Sequence, residues 1–152
     1  MKKTISILFF ISFLSYGLTN QTILKNYEIV FKCKTDDNKY KDPIVSLFEI
    51  STDKKTLVKT FSNTYKNKLQ FEYQKDYLVS FEKAGYIKKE ISVSTKNISK
   101  ERWNKEFAKL FCNINLSKQP KDSIVQHSRP VSIISYSDTL GDFDIKFDKI
   151  NK

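Results

Sequence analysis

Between Tyr27 and Val93 apolar and polar residues alternate with a period of two, a pattern that restricts this stretch to half-buried β-strands. Successive side chains of a strand point to opposite faces, so each such segment offers one apolar face to a core and one polar face to water. Tyr27, Ile29, Phe31 and Cys33 alternate with Glu28, Val30 and Lys32 as a first strand. Thr35-Asp36-Asp37-Asn38 ends it with turn chemistry, and Asp42-Pro43 opens a second strand over Ile44 to Ile50. Ser51-Thr52-Asp53-Lys54-Lys55 separates this from a short third strand, Leu57 to Phe61. Beyond a turn at Ser62-Asn63 and Asn67, Leu69, Phe71 and Tyr73 alternate as a fourth. Asp76 precedes a fifth set, Tyr77, Val79 and Phe81, and Ala84-Gly85-Tyr86 turns into a sixth strand carrying Ile87, Ile91 and Val93.

After Thr95 two periods compete. Trp103, Phe107, Leu110, Phe111 and Ile114 fit a helical stripe, whereas Ala108, Leu110, Cys112, Ile114 and Leu116 fit a two-residue alternation. The alternation predicts a seventh strand over 106–116, preceded by a connection with one helical turn capped by Ser99. Ser117 to Arg129 is polar and reads as a surface loop, and Val131 to Tyr136 is an eighth apolar run. The charged end, Asp138 to Lys152, carries Phe143, Phe147 and Ile150 and either drapes on the domain or binds elsewhere. At 152 residues, with 12 Phe and 8 Tyr against 3 Gly, the chain has the apolar bulk for one core and one domain. Seven to eight short strands separated by polar turns predict an all-β Greek-key sandwich, with the domain over 27–116 and a loop, strand 131–136 and tail over 117–152.

The first residues are of another kind. Met1-Lys2-Lys3 is followed by Ile5, Ile7, Leu8, Phe9, Phe10, Ile11, Phe13 and Leu14, and no charge recurs before Lys25. This is the layout of a secretory signal peptide over residues 1–20, with Ser15-Tyr16-Gly17 a small-x-small site for cleavage after Gly17 and a later cut near Asn20-Gln21 the alternative. The apolar run falls short of the ~20 residues of a membrane-spanning helix, so no stable span is expected after cleavage. No cysteine lies near the cleavage region to carry a lipid. The chain is therefore expected in the periplasm or on the cell surface.

Cleavage after Gly17 removes Lys2 and Lys3 from the 27 basic side chains and leaves 25 against 17 acidic ones, a formal charge of +8. Only Arg102 and Arg129 are arginines, and arginine is the residue favoured for bidentate phosphate recognition. The excess is a diffuse lysine surface, suited to solvation or to an anionic envelope glycan or headgroup. Nucleic acid is disfavoured by the export signal. Cys33 and Cys112 both fall on inward positions, and an oxidising compartment permits one pairing between them, with two buried thiols as the other reading.

Asp42-Pro43-Ile44-Val45-Ser46-Leu47-Phe48-Glu49-Ile50, Leu69-Gln70-Phe71, the run Tyr77 to Tyr86 with Lys83, Gly85 and Tyr86 at its end, and Ile91-Ser92-Val93-Ser94-Thr95 resemble the carboxypeptidase regulatory-like domains. These are transthyretin-like (prealbumin-like) β-sandwiches common in exported proteins of Gram-negative bacteria. In that family Tyr77 to Tyr86 corresponds to a strand, a tight turn at Gly85-Tyr86 and the start of the next strand. The resemblance covers about residues 27–95. Where the family usually has glycine before the strand equivalent to Leu69 to Tyr73, this chain has Lys66-Asn67-Lys68. The resemblance implies a structural or binding module and no activity.

A search for catalytic chemistry returns little. One histidine, His127, excludes a multi-histidine metal site, and Cys33 and Cys112 lie too far apart in sequence for a cysteine-pair zinc motif. Nucleophile elbows and phosphate-cradling loops need glycines, and only Gly85 and Gly141 follow the leader. Asp36, Asp37, Asn38 and Asp42, and again Asp138, Asp142, Asp144 and Asp148, form acidic clusters that match no EF-hand loop and suit ordinary turns. Tyr65, Tyr73, Tyr86, Trp103 and Tyr136 are divided between core packing and an exposed sugar- or peptide-binding face. The expectation is a non-catalytic envelope module without cofactor whose partner is an envelope protein or glycan. The alternatives are a hydrolase or glycan-processing accessory enzyme with a loop-borne carboxylate site, and a ligand-binding or inhibitor-like accessory protein.

Overall fold

Among the described residues the chain forms nine strands, in two facing sheets, and one helical turn. The computed structural model describes residues 25–37, 43–62 and 65–148, so the expected signal peptide lies outside the described residues. The short sheet orders β4 (Lys66–Phe71), β1 (Tyr27–Thr35) and β7 (Leu110–Leu116). The long sheet orders β3 (Lys54–Ser62), β2 (Ile44–Ser51), β5 (Asp76–Glu82), β6 (Lys89–Ser94), β8 (Ser132–Ser137) and β9 (Asp142–Phe147). This is an all-β sandwich. The chain forms the β2–β3 hairpin, crosses to the short sheet as β4, and returns as β5 beside β2, the kind of excursion that makes a Greek key. Two pairings, β1 with β7 and β6 with β8, are parallel.

The inner faces carry the residues that the period of two selects. Ile29, Phe31 and Cys33 from β1, Leu69 and Phe71 from β4, and Cys112, Ile114 and Leu116 from β7 meet Val45, Leu47, Tyr77, Val79, Phe81, Ile91, Val93 and Ile134 from the long sheet. Polar side chains enclosed with them are satisfied: Thr95 Oγ1 donates to the Glu72 carbonyl at 2.6 Å and accepts from Lys75 N–H at 2.9 Å. Among the described residues no buried side-chain nitrogen or oxygen lacks a partner.

Besides Asn67, which is buried inside β4 opposite Phe31 and not in a turn, two stretches depart from the sequence reading. The seventh strand begins at Leu110 and not at 106, because Phe107 turns into an aromatic cluster and side chains take over the backbone groups that a ladder would have paired. Arg102 Nη1 donates to the Glu106 carbonyl at 3.1 Å, and Ala108 N–H donates to Asp142 Oδ2 at 3.0 Å. The helical turn forms as expected: α1 (Lys100–Trp103) starts on Ser99, whose hydroxyl accepts from Arg102 N–H at 3.2 Å. The second departure is β9, formed from the charged end and paired antiparallel to β8, which buries Phe143.

Candidate functional site

Three strands cannot cover six, so the long sheet overhangs the short one on both sides. Beyond β2 the overhang is β3, whose inner-face positions are read from its register: Lys54 opposite Ser51, Thr56 opposite Glu49, Lys59 opposite Leu47. All three are exposed and polar and need no cover, and the fourth inner-face residue, Phe61 opposite Val45, is partly buried against the core. Beyond β6 the overhang is apolar. The register runs from Ile91 to Ser132 to Phe147, so Phe147 shares the face of two buried residues, yet it is 77% exposed.

A groove of about 390 Å³ lies on this overhang, between the edge of β7 and the inner face of β8 and β9. Ile87, Ile114, Val131 and Phe147 supply its apolar lining, with Lys89 and His127 as its basic side chains. Asp148 also reaches it, but its carboxylate is held by Arg129 at 2.6 Å. At one end Lys89 Nζ donates to the Asn115 carbonyl of β7 at 2.6 Å, and Ile87 N–H donates to the Ser117 carbonyl at 2.8 Å. At the other end the Ala108–Asp142 bond joins the approach to β7 to the start of β9.

The edge of β7 differs from the other strand edges of the two sheets. A free edge invites pairing with another chain, and natural sheets blunt it with charged side chains. Lys54, Lys55 and Lys59 stand on β3, Lys66 and Lys68 on β4, and Asp142, Asp144 and Lys146 on β9. β7, Leu-Phe-Cys-Asn-Ile-Asn-Leu, carries no charge, and its Phe111 is 50% exposed on the outer side. The uncharged run is visible in the sequence, but the pairings that make it an edge are not. The outer face of the long sheet offers a weaker surface: its row of Leu57, Phe48 and Leu78 is crossed by Lys55, whose ammonium lies 4.3 Å from the Phe48 ring centre and reaches Glu90 at 3.5 Å.

Cys33 and Cys112 are buried free thiols on the inner face of neighbouring strands. The parallel register sets Cys112 opposite Phe31 and Cys33 opposite Ile114, so the thiols are diagonal and not directly opposed. Burial pushes both thiols up to about 11, which keeps them protonated and unreactive at neutral pH. Gly85 takes a positive φ of 79° in the turn before Tyr86, and Tyr86 forms a bridge with Lys118 and donates its hydroxyl proton to Asp37 Oδ2 at 3.2 Å.

The remaining candidates are dispersed. Trp103 is buried, and with Tyr73, Tyr136, Tyr27, Phe107 and Phe143 it forms one packed cluster, leaving Tyr65 as the exposed member of the five aromatics singled out. The Arg102 guanidinium lies 3.9 Å from the Phe107 ring centre and donates twice to the Gly141 carbonyl, clasping the β8–β9 turn onto this cluster. Asp36 accepts from Lys118 N–H, Asp142 caps Ala108, and Asp144 accepts from its neighbour Ile145 N–H. Asn38 and Asp42 lie outside the described residues. Among the described residues no three His, Cys, Asp or Glu side chains converge as metal ligands. His127 lines the groove rim, half-buried. No helix among the described residues is long and apolar enough to cross a membrane.

No protein-family model matches the chain, and no curated protein or solved structure matches it at a significant level.

Proposed function

We propose that this protein is an exported, non-catalytic module of the cell envelope, a carboxypeptidase regulatory-like sandwich that binds another envelope component. The observation that carries the reading is the β7 groove, where Phe147, on the inner face of β9, stands uncovered beside an uncharged strand edge. The export part rests on Lys2-Lys3 and the apolar run to Leu14. Contiguous apolar surface of this kind marks an interaction site more often than a catalytic one. Of the carboxylates that would serve a hydrolase, Asp36 and Asp142 accept from backbone N–H groups and Asp148 is ion-paired with Arg129.

The test is expression of the full chain in a Gram-negative host, followed by fractionation, intact mass and cross-linking in the envelope. The expected result is an envelope-associated chain lacking about 17 to 20 residues and cross-linked from Phe147 to a second component. A full-length chain in the cytosol, or turnover of a peptidoglycan or glycoside substrate abolished by Asp142→Asn, overturns the reading.

A further inference from the structure

The uncovered overhang and the uncharged edge are two halves of one unfinished feature. A fourth strand laid on β7 would extend the short sheet over Val131 and Phe147, at the end of the β8 and β9 inner face where Phe147 is exposed although Ser132, Ile134 and Phe143 on the same face are buried. The need beside β4 is smaller, because the inner face of β3 is polar at Lys54, Thr56 and Lys59 and its one apolar residue, Phe61, already packs against the core. The bond from Lys89 adds a chemical observation. A lysine ammonium here supplies the hydrogen bond that an incoming backbone N–H would give to the edge carbonyl of Asn115. Released by such a strand, Lys89 becomes the cation at that end of the groove, since Asp148 is already neutralised by Arg129. We infer that the groove accepts an extended peptide strand of another protein, added to the free edge of β7 with alternate apolar side chains on Phe147 and Val131 and a carboxylate beside Lys89.

The segment from Leu110 to Asn115 leaves room for about five paired residues, some 16 Å of strand. Main-chain hydrogen bonds would supply affinity and the alternate side chains specificity, as in other strand-addition complexes. A second copy of this chain is the poorer occupant. Without its leader the chain carries a formal charge of +8, so two copies repel one another. This inference rests on the binding-module reading and narrows it to one edge and one class of partner.

The probe is an end-blocked, fluorescently labelled peptide, Asp-Val-Thr-Val-Thr-Val, titrated with the leaderless protein and followed by anisotropy. Its control is the same peptide N-methylated at alternate amides, which removes the donors that face an edge. The expected result is saturable binding that weakens at least about tenfold on N-methylation and in Phe147→Ser, and about threefold in Lys89→Gln or at high salt. Phe147 is 77% exposed, so Phe147→Ser should melt with the parent, which separates lost binding from lost folding. Equal affinity for the methylated peptide, or no binding of the parent peptide, overturns the strand-addition inference. A dimer dispersed by Phe147→Ser assigns the groove to a second copy and also overturns it. In each of these cases cross-linking in the envelope still decides the broader reading independently, and a cytosolic chain would defeat that reading whatever the peptide does.

Discussion

The ring of Tyr27, the first residue of β1, stacks on that of Phe143 in β9, with centroids 4.2 Å apart and planes 8° from parallel. The Tyr27 hydroxyl donates to the Ala108 carbonyl at 3.1 Å, so one side chain ties the first strand to the last and to the approach to β7. β9 is thereby part of the core. Phe143→Ala should cost about 3 to 5 kcal/mol in urea unfolding, the range for a buried phenylalanine, and Tyr27→Phe about 1 kcal/mol for the lost hydrogen bond. A truncation-like tolerance of Phe143→Ala, below about 1 kcal/mol, would show that β9 contributes little to the fold.

Gly85 and Gly141 both hold positive φ, 79° and 63°, and a Cβ built on either meets nothing within 4 Å. Space is available, so the cost of substitution is conformational. Gly85→Ala should lower stability by about 1 to 2 kcal/mol, and Gly85→Asn by less, because asparagine tolerates the left-handed region. Thermal melts of the two variants would order them Asn above Ala. Equal melting would place the turn in a different conformation in solution.

How far the sequence reveals this arrangement depends on the range of the interaction. Val45, Val79 and Phe81 announce their strands because burial on one face imprints a local period of two. The period Phe143, Ile145, Phe147 is also present, but Asp142, Asp144 and Lys146 between them make the segment read as a charged tail. Their charge is the protection that an edge strand needs, which only its place outside β8 explains. The start of β7 departs for a related reason: Ala108 fits the alternation, but Phe107 beside it is drawn into the cluster by Arg102, Trp103 and Phe143, the last a contact made across a long stretch of chain. The groove is legible least of all, since it needs sheet order, register and the unequal widths of the two sheets.

At the acid end, Asp76 and Glu82 set the direction. Burial tends to raise Asp76, but the Lys96 ammonium at 2.6 Å and the Ser94 hydroxyl at 2.7 Å hold it below the usual carboxylate value. The Ser80 hydroxyl and Lys88 do the same for Glu82 against its burial. In the window between the lowered folded values and the ordinary unfolded ones, near 4, the unfolded chain binds more protons. Stability from these groups is therefore complete above that range and lost as pH falls through it. Urea midpoints should drop between about pH 5 and 3, and Asp76→Asn should make the drop shallower. A midpoint indifferent to that substitution would mean that the Asp76–Lys96 pair is open in solution.

The buried thiols govern the opposite end of the pH range. Cys33 and Cys112 are raised to about 11 by burial, against an ordinary value near 9, and burial also raises the phenol of Tyr27 above its usual 10. Between the unfolded and folded values the unfolded chain loses protons that the folded chain retains, so it binds fewer. Stability from these groups is complete below about pH 8.5 and falls as pH rises toward 11. Guanidinium midpoints at pH 8, 9.5 and 11 should decline in that order, and the double variant Cys33→Ala, Cys112→Ala should decline less steeply between the first two. Iodoacetamide at pH 7.5 should leave the native protein unmodified and add two groups once it is unfolded without reductant. Two alkylation sites that appear only after reduction would show that the diagonal thiols close into a bridge, which requires β1 and β7 to bring their Cα atoms within about 7 Å. The alkaline decline below pH 10 would then vanish with the thiols, leaving Tyr27 as the group that titrates.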